Sequence, residues 1–365
     1  MTHQKKPNLS RREFLRLSTI GFISASSGPL LLSSAIKNFS SNSSFPQELI
    51  FDQEGDIKKY GRVMDKLIHV HSKPSFDSPQ IHTFKQDSIL PVRKTVLDMD
   101  LGKAGKPWIE IKKDAFLHSS LLQPVSINFN PVSKDISKWG VLAEVTVPYT
   151  NAYPTATFNS SPSYRCYFKT TYWVKRTVFD QKDRAWYEIK DDKDVGNYYY
   201  VPAQHLRLIP YSELSLLSPK VPIEEKRIKV DLSNQTVTAY EYDKTVFTAI
   251  VSTGDAEKNI FYTTPTGEFN TFYKRPSQHL LASNILFGGY DLPGVPWLSY
   301  ITNLGIAFHG AFWHNDFGTP RSHGCINLSP DDAKWIYRWT TPYVTPQEQL
   351  SYNDDPNYGT QVEII

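Results

Sequence analysis

Proline and glycine set the first limit on this chain. Its 365 residues include 25 prolines and 18 glycines, and the apolar runs between them are short. A proline inside a helix removes a hydrogen bond and clashes with the preceding turn. Segments interrupted this often read as strands and turns. Hydrophobic residues at 40% and aromatic ones at 13% supply enough apolar surface for packed cores and argue against disorder. The length allows two or three domains of roughly 100–200 residues. A formal charge of +3 and a pI near 8.5 are too mild for nucleic-acid binding, so no nucleic-acid partner is expected. Two cysteines do not make a disulfide framework.

The N-terminus reads Ser10-Arg11-Arg12-Glu13-Phe14-Leu15-Arg16, then a weakly apolar run from Leu17 to Ile36. Gly21, Gly28, Pro29 and several serines break that run, which makes it a poor membrane-spanning helix. The pattern resembles a bacterial twin-arginine export signal. Residues 1–45 are therefore expected to be signal segment and serine-rich linker, and the protein to act in the periplasm or cell wall. Both cleavage and an uncleaved segment holding the chain to the cell envelope stay open.

Short strand-like runs follow. Lys94-Thr95-Val96-Leu97-Asp98 is echoed by Arg176-Thr177-Val178-Phe179-Asp180, and Trp108-Ile109-Glu110-Ile111-Lys112 by Trp186-Tyr187-Glu188-Ile189-Lys190. Phe116-Leu117 with Leu122 and Val125 is echoed by Tyr200-Val201 with Leu206 and Ile209. Such self-similarity marks an internal duplication. Units of this size with five or six short strands fit small barrels, at residues 60–128 and 140–212. They resemble bacterial Src-homology-3-type modules. His69 and His71 alternate onto one strand face, where solvent-facing side chains are expected in place of a metal site. Cys166 lies in a strand-like run and is expected to be a buried structural thiol.

Pro219 and Pro222 mark a linker into a third domain, residues 223–365. Lys226–Leu232, Gln235–Glu241 and Thr245–Val251 alternate polar and apolar residues, as two successive hairpins would. Pro276 to Tyr300 reads as an extended loop and a candidate lid. Gly305-Ile306-Ala307-Phe308 places His309 on a strand. Ser329-Pro330-Asp331-Asp332 is a helix start, with a capping serine, a proline at the first position and acids in the first turn. That helix should run to about Trp339.

Between these lies the densest chemistry in the chain: His309-Gly310-Ala311-Phe312-Trp313-His314, then Arg321-Ser322-His323-Gly324-Cys325-Ile326-Asn327. A thiol needs a base to become a nucleophile near neutral pH, and imidazole is the usual one. Small residues beside it let backbone N–H groups approach an oxyanion. Cys325 is the candidate nucleophile. The spacing does not choose between His309 and His323 as base.

This third domain resembles the L,D-transpeptidase catalytic domain (YkuD type). The resemblance rests on His309, on Ser322-His323-Gly324-Cys325-Ile326-Asn327, on the Thr264-Pro265-Thr266-Gly267 turn, and on the opening hairpins with Ser252-Thr253-Gly254. With the two small N-terminal β-barrel modules read above, it implies a mainly β chain that continues into a β-rich transpeptidase domain with a short C-terminal helix. It also implies that His309 is the base, oriented by the Gly310 carbonyl. His323 is then a second imidazole, and Gly324 and Cys325 give oxyanion amides. Ser322, Arg321, Asn327, Trp313 and His314 are candidate substrate-binding residues. Asn327 stands where many relatives have arginine, and Arg321 is the substitute charge. The implied partners are peptidoglycan stem peptides. A Cys325 thioester would release terminal D-alanine and form 3-3 cross-links or attach wall components. No cofactor and no metal are expected, and the chain is expected to be a monomer. The alternatives are a peptidoglycan carboxypeptidase or endopeptidase and a non-catalytic wall-binding protein. In papain-like peptidases the cysteine precedes its histidine; here His309 precedes Cys325.

Overall fold

The computed structural model describes residues 59–96, 106–193, 196–282, 289–355 and 358–365. The export-signal segment lies outside them. The described chain is mainly β, with one α-helix among the described residues.

Eight strands come first: β1 (Tyr60–Val63), β2 (Leu67–His71), β3 (Gln80–Lys85), β4 (Ile89–Pro91), β5 (Lys94–Val96), β6 (Trp108–Lys112), β7 (Ala115–His118) and β8 (Leu122–Val125). They pair in the orders β3-β2-β7-β6-β5 and β4-β1-β8, around Val63, Ile68, Val70, Leu90, Leu117 and Leu122. Seven more follow: β9 (Val141–Val145), β10 (Tyr149–Ala152), β11 (Tyr164–Tyr167), β12 (Thr171–Phe179), β13 (Ala185–Lys190), β14 (Tyr198–Pro202) and β15 (Leu206–Leu208). Their orders are β14-β13-β12-β9-β15 and β10-β11. The path β5-β6-β7, a 3-10 turn and then β8 against β1 matches the path β12-β13-β14, a 3-10 turn and then β15 against β9. Trp108 and Trp186 are buried at corresponding points, each beneath an exposed ring, Phe76 at 4.8 Å and Phe158 at 4.6 Å.

One expectation in the first unit fails. His69 is exposed, but His71 is buried, with Nδ1 3.1 Å from the Ser78 carbonyl and its ring edge-on to Trp108. A bulge between Val70 and His71 breaks the alternation that would have put both histidines on one face.

The third region holds β16 (Lys226–Asp231), β17 (Thr236–Glu241), β18 (Lys244–Ile250), β19 (Gly267–Asn270), β20 (Tyr273–Ala282), β21 (Tyr290–Tyr300), β22 (Ala307–Gly310), β23 (Ile326–Leu328), helix α1 (Pro330–Trp339), β24 (Ser351–Tyr352) and β25 (Gln361–Ile364). Two five-stranded sheets result, β18-β17-β16-β25-β19 and β23-β22-β21-β20-β24. β16 alternates buried Ile228 and Val230 with more exposed Arg227 and Lys229. This alternation turns one face toward a core shared with Val237, Phe308, Ile326, Val362, Ile364 and the helix residues Ala333 and Ile336.

The expected loop from Pro276 to Tyr300 is instead mostly the β20–β21 hairpin, paired from Tyr273↔Tyr300 to Ala282↔Tyr290. Gly288-Gly289, Pro293-Gly294 and Pro296 made it read as a loop. The two prolines are tolerated because β21 pairs with β22 only through Ser299 and Tyr300, so the stretch with Pro293 and Pro296 has β20 alone as strand partner. A bulge between Gln278 and Leu280 absorbs the misfit.

Helix α1 begins as its sequence dictates, with the Ser329 hydroxyl accepting from the Asp332 N–H at 3.2 Å. Its C-terminal carbonyls meet the amines of two buried lysines. Lys274 donates to the Tyr337 and Thr340 carbonyls, and Lys226 to those of Trp339 and Leu217. Burial lowers both amines, Lys274 well below the ordinary lysine value, and their hydrogen bonds satisfy carbonyls that have no helical partner.

Candidate active site

β22 and β23 pair in parallel, with Phe308 opposite Ile326 and His309 opposite Asn327. Cys325 immediately precedes β23, so this pairing brings the cysteine beside the histidine strand. A parallel pair cannot close through a tight turn. The connection 311–325 makes the crossover without a helix.

His309 is buried. Its Nδ1 lies 3.3 Å from the Gly310 carbonyl, and its ring centroid is 5.7 Å from that of Trp313. Nδ1–H donates to that carbonyl, which leaves Nε2 as the acceptor nitrogen. Burial holds the imidazole down to about 4 despite the opposing carbonyl, so the ring is neutral at pH 7. Cys325 keeps some solvent exposure, yet enough protein surrounds the thiol that burial pushes it up to about 11. Its Sγ donates to the Gly305 carbonyl at 3.5 Å. Cys166 is a buried, free thiol; burial pushes it up to about 12.

The turn before Cys325 is braced from within and without. Ser322 Oγ donates to the Cys325 carbonyl and accepts the Gly324 N–H at 3.0 Å. The Gly324 N–H is thus engaged by the Ser322 hydroxyl. Gly324 has φ +119°, a backbone conformation that strains any residue with a side chain. Thr264 Oγ1 donates to the Gly324 carbonyl at 2.7 Å and accepts the Gly254 N–H at 2.8 Å. The Thr253 carbonyl accepts the Arg321 and Ser322 N–H groups, and Ser252 exchanges both backbone bonds with Asn327. The Ser252-Thr253-Gly254 and Thr264-Pro265-Thr266-Gly267 segments thus meet at the cysteine turn.

His323 is exposed, its ring 4.0 Å from Tyr262 and 5.4 Å from Tyr290. Burial and the nearby Cys325 push Tyr290 up to about 12 and raise Tyr300 as well. Tyr262, Tyr290, Tyr300 and the Gly305 carbonyl carry no local sequence signal. The two hairpin tyrosines were hidden by the loop reading of that stretch.

His314 and Asn327 are both buried, and the Asn327 side-chain amide lies 3.0 Å from His314 Nε2. His314 Nδ1 accepts the Asp316 N–H at 3.3 Å. Nε2 then carries the ring proton, and the Asn327 amide is best turned with its oxygen toward it. Burial, assisted by the Arg321 charge, holds His314 down to about 3. Trp313 is half-buried against His309. Arg321 is exposed and donates to Asp316 at 2.8 Å. Among the described residues no cluster of three or more histidine, cysteine or acidic side chains is placed to hold a metal ion.

Residues 225–364 match the family model of the L,D-transpeptidase catalytic domain (YkuD). The putative L,D-transpeptidase YciB of Bacillus subtilis (strain 168) is 30% identical over 128 residues, which are 32% of this chain and 62% of that protein. The chain therefore spans about three fifths of the curated relative it matches. An L,D-transpeptidase from Mycobacterium smegmatis is 26% identical, covering 39% of this chain and 58% of that one, with a TM-score of 0.30. The catalytic domain of an E. faecium L,D-transpeptidase is 24% identical, covering 39% and 98%, with a TM-score of 0.29. An L,D-transpeptidase catalytic domain over residues 225–364 is thus supported by the family model and the curated relative together.

Proposed function

We propose that the protein is an exported cysteine L,D-transpeptidase that acts on peptidoglycan stem peptides. The observation that carries this reading is the parallel β22–β23 pair, which brings Cys325 to the strand of a buried, neutral His309 within a matched catalytic domain. The Cys325 thiol attacks the carbonyl that precedes the terminal D-alanine of a stem, and its proton passes to His309. With the thiol near 11 and the imidazole near 4, a resting ion pair is disfavoured, so attack and proton transfer proceed together. The oxyanion is met by backbone N–H groups of the turn; with Gly324 committed to Ser322, those of Cys325 and His323 are the candidates.

Collapse of the tetrahedral adduct breaks the peptide bond, and the departing D-alanine amine takes the proton from His309. A thioester remains. An acceptor amine then attacks it, gives its proton to His309, and the thiol leaves as Cys325 is reprotonated. A side-chain amine of a second stem gives a 3-3 cross-link, and an amine of a wall component gives attachment. Such chemistry requires a location outside the cytoplasm, which agrees with the Arg11-Arg12 segment read as a twin-arginine signal. The two N-terminal β units are read as Src-homology-3-like modules.

The test is intact-mass analysis after incubation with a disaccharide tetrapeptide or meropenem. A covalent adduct is expected on the parent protein and none on Cys325→Ala. An adduct that survives this substitution, or none on reduced parent protein, sinks the assignment. The released products separate cross-linking from hydrolysis.

A further inference from the structure

We infer that the first β unit is a working part of the site, and that Arg62 is a positioning residue holding the connection 311–325 against Cys325 and His309. This rests on the reading of Cys325 given above. A crossover of this length without its own helix needs its backbone groups and side chains supported from outside. The half nearer Cys325 is held by its own domain: Gly318 donates to the Val251 carbonyl, and Arg321 and Ser322 to that of Thr253. The half nearer His309 is held by its own domain, through Ala311 N–H to the Leu328 carbonyl, the Ser252 hydroxyl to the Asp316 carbonyl and Asn327 against His314, and also by the first β unit. Arg62, on β1, donates through NH2 to the Phe312 carbonyl at 2.7 Å. Asn315 Nδ2 donates to the Leu122 carbonyl at 3.0 Å and to that of Ser119 at 3.3 Å. Lys106 pairs with Asp316.

Arg62 is 2% exposed, and each of its three guanidinium nitrogens donates a hydrogen bond. Nε donates to Gln123 at 2.9 Å and NH1 to Asp87 at 2.7 Å. Its face lies 4.2 Å from the Tyr167 ring centroid, and Tyr167 stacks on Phe312 at 5.2 Å. Arg62, Tyr167 and Phe312 therefore form one layer drawn from both N-terminal units and the connection. Burying a guanidinium is unfavourable unless it is hydrogen-bonded, and the Phe312 carbonyl is one of the three acceptors that offset that cost. Phe312 in turn packs edge-on against Trp313 at 5.0 Å, and Trp313 covers His309. Arg62 thus acts on His309 through two packed rings. His314, within the connection, is an ionisable group that interacts with that ring.

The experiment uses the full chain with Arg62→Met, which keeps side-chain bulk and removes every donor. Acylation by a tetrapeptide stem is followed against pH, and Cys325 alkylation by iodoacetamide at pH 8. Acylation kcat should fall at least tenfold with KM within threefold of the parent. Its acid limb should move from about 4 toward the ordinary histidine value of about 6.5, because a loosened connection admits water to the ring. Alkylation should rise at least threefold as the thiol is hydrated. Arg62→Lys, which keeps a cation and donors, should recover part of the rate. Arg227→Ala, in an exposed pair with Asp243, should match the parent. If Arg62→Met does not fold, Lys106→Gln and Asn315→Ala should each give the same changes in smaller degree. A folded variant with parental rates and pH profile overturns the inference, and so does a lower rate with an unmoved acid limb. If the parent forms no stem adduct, the transpeptidase reading fails, while the alkylation comparison still decides this one.

Discussion

Replacing Ser322 by alanine removes one oxygen and should damage both stability and chemistry. Ser322 Oγ serves two backbone groups of the cysteine turn, accepting from Gly324 and donating to the carbonyl of Cys325, at a residue only 6% exposed. Loss of the hydroxyl leaves the Gly324 N–H without its acceptor, at roughly 1–3 kcal/mol for a buried group. The Cys325 carbonyl loses one donor, a smaller penalty. The expected destabilisation is about 2–3 kcal/mol, or about 4–6 °C at roughly 2 °C per kcal/mol for a chain of this size. The turn also fixes the thiol, and displacement by about 1 Å can lower a rate on the order of 100-fold. Differential scanning calorimetry and the time course of adduct formation read the two effects, with Ser322→Thr, which keeps the oxygen, as the rescue. An alanine variant that melts and acylates like the parent refutes the bracing role. An alanine variant that acylates faster would show that Ser322 had been withholding a Gly324 oxyanion donor.

Two further outcomes follow from ionisation. With the Cys325 thiol pushed up to about 11, the thiolate is scarce at neutral pH, and alkylation by iodoacetamide should rise about tenfold per pH unit between pH 7 and 10; a plateau from pH 6 to 9 would reveal a thiolate–imidazolium pair instead. His279 is buried with Nδ1 2.8 Å from Asp191, and its Nε2 meets Asp291. Burial opposes its charge, but these carboxylates outweigh burial and raise it, while both acids are lowered against their own burial. The histidine's contribution is therefore complete below its ordinary value of about 6.5 and lost as pH rises through the raised one. The acids' contribution is lost as pH falls through their lowered values. His279→Ala should destabilise by about 3 kcal/mol, the low end for a broken buried pair because Asp291 is half exposed. Urea titrations at pH 6 and pH 9 should show a larger loss at pH 6, and an equal loss would contradict the charged pair.

What the sequence disclosed was what depends on neighbours in the chain. The Ser329-Pro330 helix start, the three alternating strands from Lys226 and the glycine beside Cys325 are local solutions to local constraints. What it concealed depends on pairing. Pro293 and Pro296 look like loop residues until one knows that β21 has a single partner along that stretch. His71 looks like His69's twin until the bulge after Val70 is seen. Asn327 reads as a weakened substrate contact, but its side chain is spent on His314, thirteen positions away. Arg62 and Phe312 are separated by 250 positions, and no spacing rule joins them.

The placement of β25 bears on the order in which the domain can be made. It lies between β16 and β19, pairing in parallel with the strand that opens the domain and antiparallel with the one beyond. Until Gln361–Ile364 has been synthesised, β16 and β19 face an empty lane, and the segments already made wait on the order of ten seconds at ordinary elongation rates. Contacts so distant in sequence also slow the final closure. The sheet that backs the thiol is thus closed only once Gln361–Ile364 is made, and until then β16, β17 and β18 wait as a three-stranded piece with one open edge.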